Sequence, residues 1–361
     1  MIKNEVINKI NIVIDYQIKS FYKLFEECTC IKSINLKKWN RADFKDLSFM
    51  FYNCSSLEEI TFSKVNTENV KDMRFLFKGC SSLKRLNLTN INTNKVKDMN
   101  NIFAGCLSLK DINLSNFNTN NVTDISSMFD NCSSLEKINL SNFRTNNVTN
   151  MNSLFYGCTS LKEIDLSNFN TEKVNVMFSM FSECSSLKKI NLSNFNTKNL
   201  TSMKYMFKKC SSLEELNLSN FNTENVEEMV YLFSGCSSLK KINITSFRTN
   251  NVTDMSHMFD GCSSLQELNI SNFNFKNVNN ISYMFNECSL LKKVDISSFD
   301  FDNVDNISYL FNGCISLTEL NLGNFNGDNI MNMSKMFSGC SNNLKNEIRN
   351  KYKNIRDEAF Y

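Results

Sequence analysis

Apolar and polar residues recur along this chain with a period of 26. Thirteen cysteines from Cys28 to Cys340 keep that spacing without a slip, and only Cys30 is out of phase. Unbroken register over 312 residues means twelve copies of one unit with no insertions, each unit one coil of a stack. Counting each Cys as position 0, the unit reads C-S-S-L-K-x-I-N-L-S-N-F-N-T-x-N-V-x-x-M-x-x-M-F-x-G. Nine columns are apolar or nearly so. Position 23 is Phe from Phe25 to Phe337, position 19 is mostly Met, position 16 mostly Val and position 3 nearly always Leu.

Positions 6 to 9 alternate apolar and polar, which predicts a short strand. Positions 19, 22 and 23 have helical spacing, which predicts one helical turn. The expected architecture is an α/β repeat solenoid with one short parallel β-strand and one short helical turn per coil. No unit can bury its apolar residues alone, so neighbouring coils must cover them. Twelve strand spacings give a rod of roughly 60 Å.

Three segments follow: 1–27 as an N-terminal capping helix and partial repeat, 28–339 as twelve repeats, and 340–361 as a C-terminal capping helix. The first cap is read from Val6, Ile10, Val13, Ile14, Ile18, Phe21, Leu24 and Phe25 on one helical face. The second is read from Leu344, Ile348, Tyr352, Ile355 and Ala359 at helical spacing. A solenoid has to cover its terminal coils, and amphipathic helices do so.

Composition adds constraints. The 361 residues hold 40 Lys and Arg against 37 Asp and Glu, a net charge of +3, so no nucleic-acid partner is expected. The absence of proline suits continuous ladders. Lys3, Glu5, Lys9 and Asp15 interrupt any apolar run before Gln17, so no secretory signal is read there. No stretch approaches 18 apolar residues, so no transmembrane segment is expected.

The cysteines admit three readings. In-register side chains point the same way, so their Cβ atoms are about 4.8 Å apart, where a disulfide needs about 3.8 Å. Zinc needs ligands that converge, and a straight column does not converge. The favoured reading is a buried column of small hydrophobes, with no metal and no cofactor. Free thiols favour a reducing setting. Dense N-x-S/T acceptors, such as Asn113-Leu114-Ser115, would carry glycans into the stack in a glycosylating compartment.

Polar columns are the remaining source of chemistry. Asn dominates positions 7, 10, 12 and 15, with Thr at 13 from Thr67 to Thr249. Such ladders can bond from coil to coil, or face a glycan. Position 5 alternates in sign: Glu59, Arg85, Asp111, Lys137, Glu163, Lys189, Glu215, Lys241, Glu267, Lys293, Glu319. Opposite charges one strand apart stabilise and like charges destabilise, so this column reads as a structural charge ladder. Position 21 carries Tyr205, Tyr231, His257, Tyr283 and Tyr309 in five consecutive coils. These five are the candidate binding residues, an aromatic stripe over about 20 Å suited to a partner. Ring stacking between coils is the competing account.

The unit, as in Cys184 to Phe207, resembles the 26-residue repeats of the BspA-like leucine-rich repeat surface proteins. The resemblance spans residues 18–340. It implies a leucine-rich-repeat-like solenoid and a non-catalytic role in adhesion or host-protein binding at a microbial surface. An intracellular interaction scaffold is the alternative, and a cytoplasmic location stays open beside the cell surface. A carbohydrate binder using the Asn and Thr columns is a third reading. No catalytic residues are assigned, because carboxylates in repeating columns lack the local break in symmetry that catalysis needs. The chain is expected to act as a monomer on a protein partner.

Overall fold

The computed structural model describes residues 20–36, 43–63 and 65–361. Of the expected N-terminal capping helix, Val6 to Ile18 lie outside these; Phe21, Leu24 and Phe25 are described and sit in turns bonded to the next coil, not in a helix. Among the described residues, eleven short strands run parallel, one per coil in all but one coil. β1 (Ser33–Leu36), β2 (Glu59–Phe62) and β3 (Arg85–Asn87) form one ladder. Four pairs follow: β4 (Asp111–Ile112) with β5 (Lys137–Ile138), β6 (Glu163–Asp165) with β7 (Lys189–Asn191), β8 (Glu215–Asn217) with β9 (Lys241–Asn243), and β10 (Lys293–Asp295) with β11 (Glu319–Asn321). The coil around Glu267 has no assigned strand, yet Lys292 N still donates to Gln266 O at 3.3 Å, so the register runs through it.

The opposite side of each coil differs from the sequence expectation. The M-x-x-M-F stretch is a run of β-turns in every described coil, not a turn of α-helix. The backbone bonding shows why. N–H groups at positions 19, 21, 23 and 25 donate to carbonyls of the next coil, as Met73 to Asp98, Phe75 to Asn100, Phe77 to Ile102 and Gly79 to Ala104 at 2.7–3.3 Å. Those at 22, 24 and 26 close turns three residues back, as Leu76 to Met73, Lys78 to Phe75 and Cys80 to Phe77. No donor is left for an i to i−4 bond.

The remaining donor, at position 20, is taken by the side chain at position 18. Asp46 Oδ1 accepts from Ser48 N at 2.8 Å, and Asp98 Oδ1 from Asn100 N at 3.0 Å. In the segment Met73 to Cys80, where Arg74 N donates to Asp72 Oδ1 at 3.1 Å, every N–H is thereby paired, as buried backbone requires. Position 18 also forms an uninterrupted line of parallel bridges from Asp46 to Asn332. Two turns per coil put their third residue in the left-handed region, at positions 21 and 25, as a type II turn needs. Position 25 is often Gly, as at Gly79 (φ 77°), whereas position 21 is never Gly.

Between the two ladders lies one continuous core. Phe25 through Phe337 stack ring on ring with centroids 5.4–5.9 Å apart. All fourteen cysteines are free thiols, and the twelve from Cys54 to Cys340 are buried. Each of the twelve donates its S–H to the carbonyl of a Phe one coil back, as Cys184 Sγ to Phe155 O at 3.1 Å. They are therefore polar donors as well as small hydrophobes.

The Asn and Thr columns are used internally. Thr67 Oγ1 accepts from Asn92 N and donates to Asn92 O, standing in for a missing strand contact. Asn116 Nδ2 reaches the carbonyls of Leu88 and Ile91 in the preceding coil. Asn121 Nδ2 reaches Asn94 O at 2.7 Å. Where the Thr column changes at Phe275 and Phe301, buried rings replace the hydroxyls.

At the C-terminal end, α1 (Asn342–Lys351) begins at Ser341, whose Oγ accepts from Leu344 N, and buries Leu344 and Ile348. The helix stops there, earlier than the periodicity to Ala359 implies. Asp357–Phe360 is a short 3₁₀ turn. It takes the place of a next coil: Lys335 N donates to Glu358 O, Phe337 N to Ala359 O, and Phe360 stacks on Phe337 at 5.4 Å.

The charge ladder has the geometry its alternation implies. Glu59 faces Arg85, Asp111 faces Lys137, Glu163 faces Lys189 and Glu215 faces Lys241 in strand register. Ion pairs close at 2.6 Å for Arg85–Glu59 and 3.0 Å for both Lys241–Glu215 and Lys293–Glu319. Lys189→Glu puts three acids in consecutive coils and should lower the thermal midpoint by on the order of 1–2 °C. Adding Glu163→Lys and Glu215→Lys should recover part of that loss, and no recovery would remove the ladder's stabilising role.

The thiol column yields a sharper test. Burial pushes Cys54 and Cys340 up to about 11 and Cys184 and Cys236 up to about 12, with the other eight buried thiols also raised. A raised native pKa leaves stability intact below the unfolded thiol's value, about 8.5, and erodes it as pH climbs beyond that. Each thiol can cost about 1.4 kcal/mol per pH unit in that window. Thermal midpoints measured between pH 8 and pH 10 should fall steeply. A flat profile would contradict the buried column.

Candidate functional site

The five aromatic residues named from the sequence lie together in one line. They occupy position 21, which is the left-handed corner between successive turns and not the outer face of a helix. Tyr205, Tyr231, His257, Tyr283 and Tyr309 have φ of 57–59°. Non-glycine residues pay roughly 1–2 kcal/mol for this conformation. The inter-coil bond made by each N–H holds it there, as Tyr231 N to Ser256 O at 3.1 Å and Tyr283 N to Ser308 O at 2.9 Å.

The rings stack face to face. Centroids are 5.3 Å apart for Tyr205–Tyr231, 4.1 Å for Tyr231–His257, and 4.4 Å for both His257–Tyr283 and Tyr283–Tyr309. All five are half-buried, so both accounts of the stripe have a physical basis: the faces serve stacking and the edges reach solvent. Burial raises the Tyr231 and Tyr283 hydroxyls above their ordinary value. Lys208 Nζ lies 4.6 Å from the Tyr231 ring centre and 5.2 Å from that of Tyr205. Lys335 covers Tyr309 at the far end. His257 Nδ1 lies 2.9 Å from Asp260 Oδ2, and Asn286 Nδ2 donates to the other oxygen of that carboxylate at 2.7 Å. Asp260 thus fixes the imidazole within the stack.

The stripe stops at Tyr205, where the column turns to Ser179, Ser153, Ser127 and Asn101. Two more rings, Phe49 and Phe75, stack at 4.5 Å near the other end. Beside the break sits Phe178, 42% exposed. Sequence reasoning passed over this residue. Its signal was a departure from columns: positions 18 and 20 are polar in nearly every coil but read Val176 and Phe178 here. Without an acceptor at position 18, Phe178 N turns to Asn152 Oδ1 of the preceding coil at 3.0 Å.

Position 18 also stacks four carboxylates, Asp46, Asp72, Asp98 and Asp124, in successive coils. Burial, with the neighbouring carboxylates adding to it, raises Asp72 and Asp98 above the usual range. Among the described residues no group of three His, Cys, Asp or Glu side chains is placed to hold a metal ion. No helix among them is long and apolar enough to cross a membrane.

A family described as "Mycoplasma protein of unknown function, DUF285" matches the chain at residues 19–137, 99–216, 126–243, 180–293 and 228–352. The chain belongs to this family. No curated protein matches it. Among solved structures, a leucine-rich repeat protein of Bacteroides ovatus is similar at 24% identity over 97% of this chain and 89% of its own, with a TM-score of 0.55. A leucine-rich repeat protein of Eubacterium ventriosum is similar at 19% identity over 88% and 79%, TM-score 0.48. A leucine-rich cell surface protein of Faecalibacterium prausnitzii is similar at 20% over 82% and 81%, TM-score 0.44. The first of these shows the fold to be a leucine-rich repeat solenoid; the other two are too distant to add to it. The resemblance to the BspA-like leucine-rich repeat family, drawn from the repeat alone, holds for this DUF285 chain.

The carboxylate line yields a test with its own internal control. A raised carboxylate pKa means the charged form is disfavoured in the fold, so stability is fullest below the unfolded value and declines as pH rises through the folded one. Asn280 and Asn306 make the same turn bond uncharged, each accepting from a Ser N–H at 3.0 Å. Asp98→Asn should therefore raise neutral-pH stability by roughly 0.5 kcal/mol, after allowing for solvent on its exposed side. The gain should vanish near pH 4, and chemical denaturation at the two pH values checks it.

Proposed function

We propose that this chain is a non-catalytic protein-binding solenoid, an adhesin-type or host-interaction protein of a microbial surface. Its contact face is the stripe Tyr205 to Tyr309 together with Phe178. The carrying observation is the break in repetition at Val176 and Phe178, where an exposed ring stands beside the end of a half-buried aromatic stack. Positions 18 and 20 are polar in most coils, so the apolar pair Val176 and Phe178 beside the stripe is a local exception that stacking does not require. Exposed aromatic clusters are where protein interfaces concentrate their energy. An intracellular scaffold would use the same face, and protease shaving of intact cells separates the two locations.

A carbohydrate-binding role has less support. It needs free amides along the Asn columns, and those amides bond the preceding coil's carbonyls. The C-terminal cap, α1 with the Asp357–Phe360 turn, covers one end of the stack and leaves its side to be presented.

Phe178→Ser should leave the thermal midpoint nearly unchanged, because it alters an exposed side chain. Tyr205→Ser is also tolerated by the backbone, since Ser179 holds the same position at φ 55°. Immobilised chain carrying both substitutions should lose roughly thirtyfold in capture of its protein partner. A control altered on the strand face, Glu163→Gln with Lys189→Gln, should keep it. Equal capture by all three chains would remove the reading.

A further inference from the structure

Twelve of the fourteen thiols are sealed in the core, and two are not. Cys28 is half-buried at the start of the register column, and Cys30 is exposed. Position 2, where Cys30 stands, is Ser in every later coil from Ser56 to Ser264. A thiol on this solvent side is a departure from the repeat, and the packing role of the buried column does not explain it. The pair also differs in its bonding. Each thiol from Cys54 to Cys340 donates to a Phe carbonyl one coil back, whereas among the described residues neither Cys28 nor Cys30 makes such a bond.

The backbone brings the two together. Cys28 to Ile31 form a β-turn closed by Ile31 N donating to Cys28 O, and Thr29 N donates to Glu27 O at 2.8 Å. Two residues span at most about 7 Å when fully extended, and a turn shortens that into the Cα range a disulfide needs. The closing bond of this turn is 3.5 Å, against 3.0–3.2 Å for the equivalent bonds from Leu57 to Leu317. The first turn is thus the most open of the series and can adjust at little cost. The in-register neighbour of Cys28 is Cys54, and parallel side chains hold their Cβ atoms about 4.8 Å apart, too far for a disulfide. Cys54 is also buried, its S–H held by Phe25 O at 2.9 Å. Cys30, out of phase, is free of that constraint. Burial, with Cys30 adding to it, raises the Cys28 thiol above its ordinary value. Exposed Cys30 therefore meets a reagent first, and Cys28 resolves the product.

We propose that Cys28 and Cys30 form a reversible redox-modification site that reacts with low-molecular-weight disulfides. Cys30 releases its proton to water, and its thiolate attacks one sulfur of the reagent R–S–S–R. A Cys30–S–S–R bond forms and R–S⁻ leaves. Cys28 then releases its proton and attacks the Cys30 sulfur, so that Cys28–S–S–Cys30 forms and the second R–S⁻ leaves. The protein gives up two hydrogens and two electrons, and the reagent is reduced to two thiols. A disulfide across one intervening residue closes a small strained ring, and strained, exposed disulfides are the ones readily reduced again. The site lies just before Ile31, which packs on the core, and β1, so oxidation acts on the first coil.

Fully reduced chain incubated with oxidised glutathione at about pH 8 should lose two of its fourteen thiols. The peptide holding residues 28–30 should become two hydrogens lighter with no glutathione attached, and dithiothreitol should restore it. Cys28→Ser should stop at a glutathione adduct on Cys30. Cys30→Ser should leave Cys28 unmodified over the same time. Ser already fills position 2 in most coils, so this variant should keep the wild-type thermal midpoint. A wild-type chain that stays reduced, keeps a lasting adduct on Cys30, or pairs with a second copy through Cys30 would overturn the proposal. Glutathione on Cys28 in the Cys30→Ser chain would overturn the order of attack.

Discussion

The structure depends on hydrogen bonds that leave the coil. In an α-helix each N–H is satisfied a turn away along its own segment. Here the donors at positions 19, 21, 23 and 25 find acceptors only in the following coil. That requirement holds the turn segment to a fixed length, because an extra residue within it would set its donors out of line with the carbonyls of the next coil. It also holds position 21 in a left-handed conformation, whatever side chain stands there: Phe49, Ser127, Tyr231 and Lys335 share φ within a few degrees of one another.

This constraint also marks the limit of what the sequence discloses. Strand position, register, the buried columns and the opposed charges of Glu163 and Lys189 follow from spacing alone. The second face does not. Positions 19, 22 and 23 point inward in a run of turns as they would in a helix, so side-chain periodicity cannot separate the two. The distinguishing signs are local: an Asp or Asn at position 18 and a Gly at position 25, both turn residues. At the aromatic stripe, the column assigned the five rings correctly to one line. Their stacking and half-burial depend on the handedness of that corner, which the column does not encode. Phe178 was legible only as an exception, and exceptions become visible once the rule for the column is understood.

The cysteines show how a small residue can answer two demands. The site is tight and apolar, which favours a small side chain, yet a Phe carbonyl one coil back has a free lone pair. Alanine would meet only the first demand, and serine would meet the second at a higher cost of desolvation. A thiol is weakly polar and donates one bond. The polar columns follow the same logic, with amides and hydroxyls consumed by neighbouring backbone. Little of this surface is free for partners, which is why the departures at Val176 and Phe178 stand out.

The direction of the turn-face bonds has a consequence for how the chain is made. Each donor points toward the coil that follows it in sequence. On a ribosome, a newly emerged coil therefore presents a row of unsatisfied N–H groups until its successor appears, and the same edge moves forward one coil at a time. Among the described residues this succession ends where Glu358 and Ala359 offer their carbonyls to Lys335 and Phe337. A chain without Asp357–Phe360 would leave that edge open at the coil of Lys335, so these four residues decide whether the turn face ends paired or exposed.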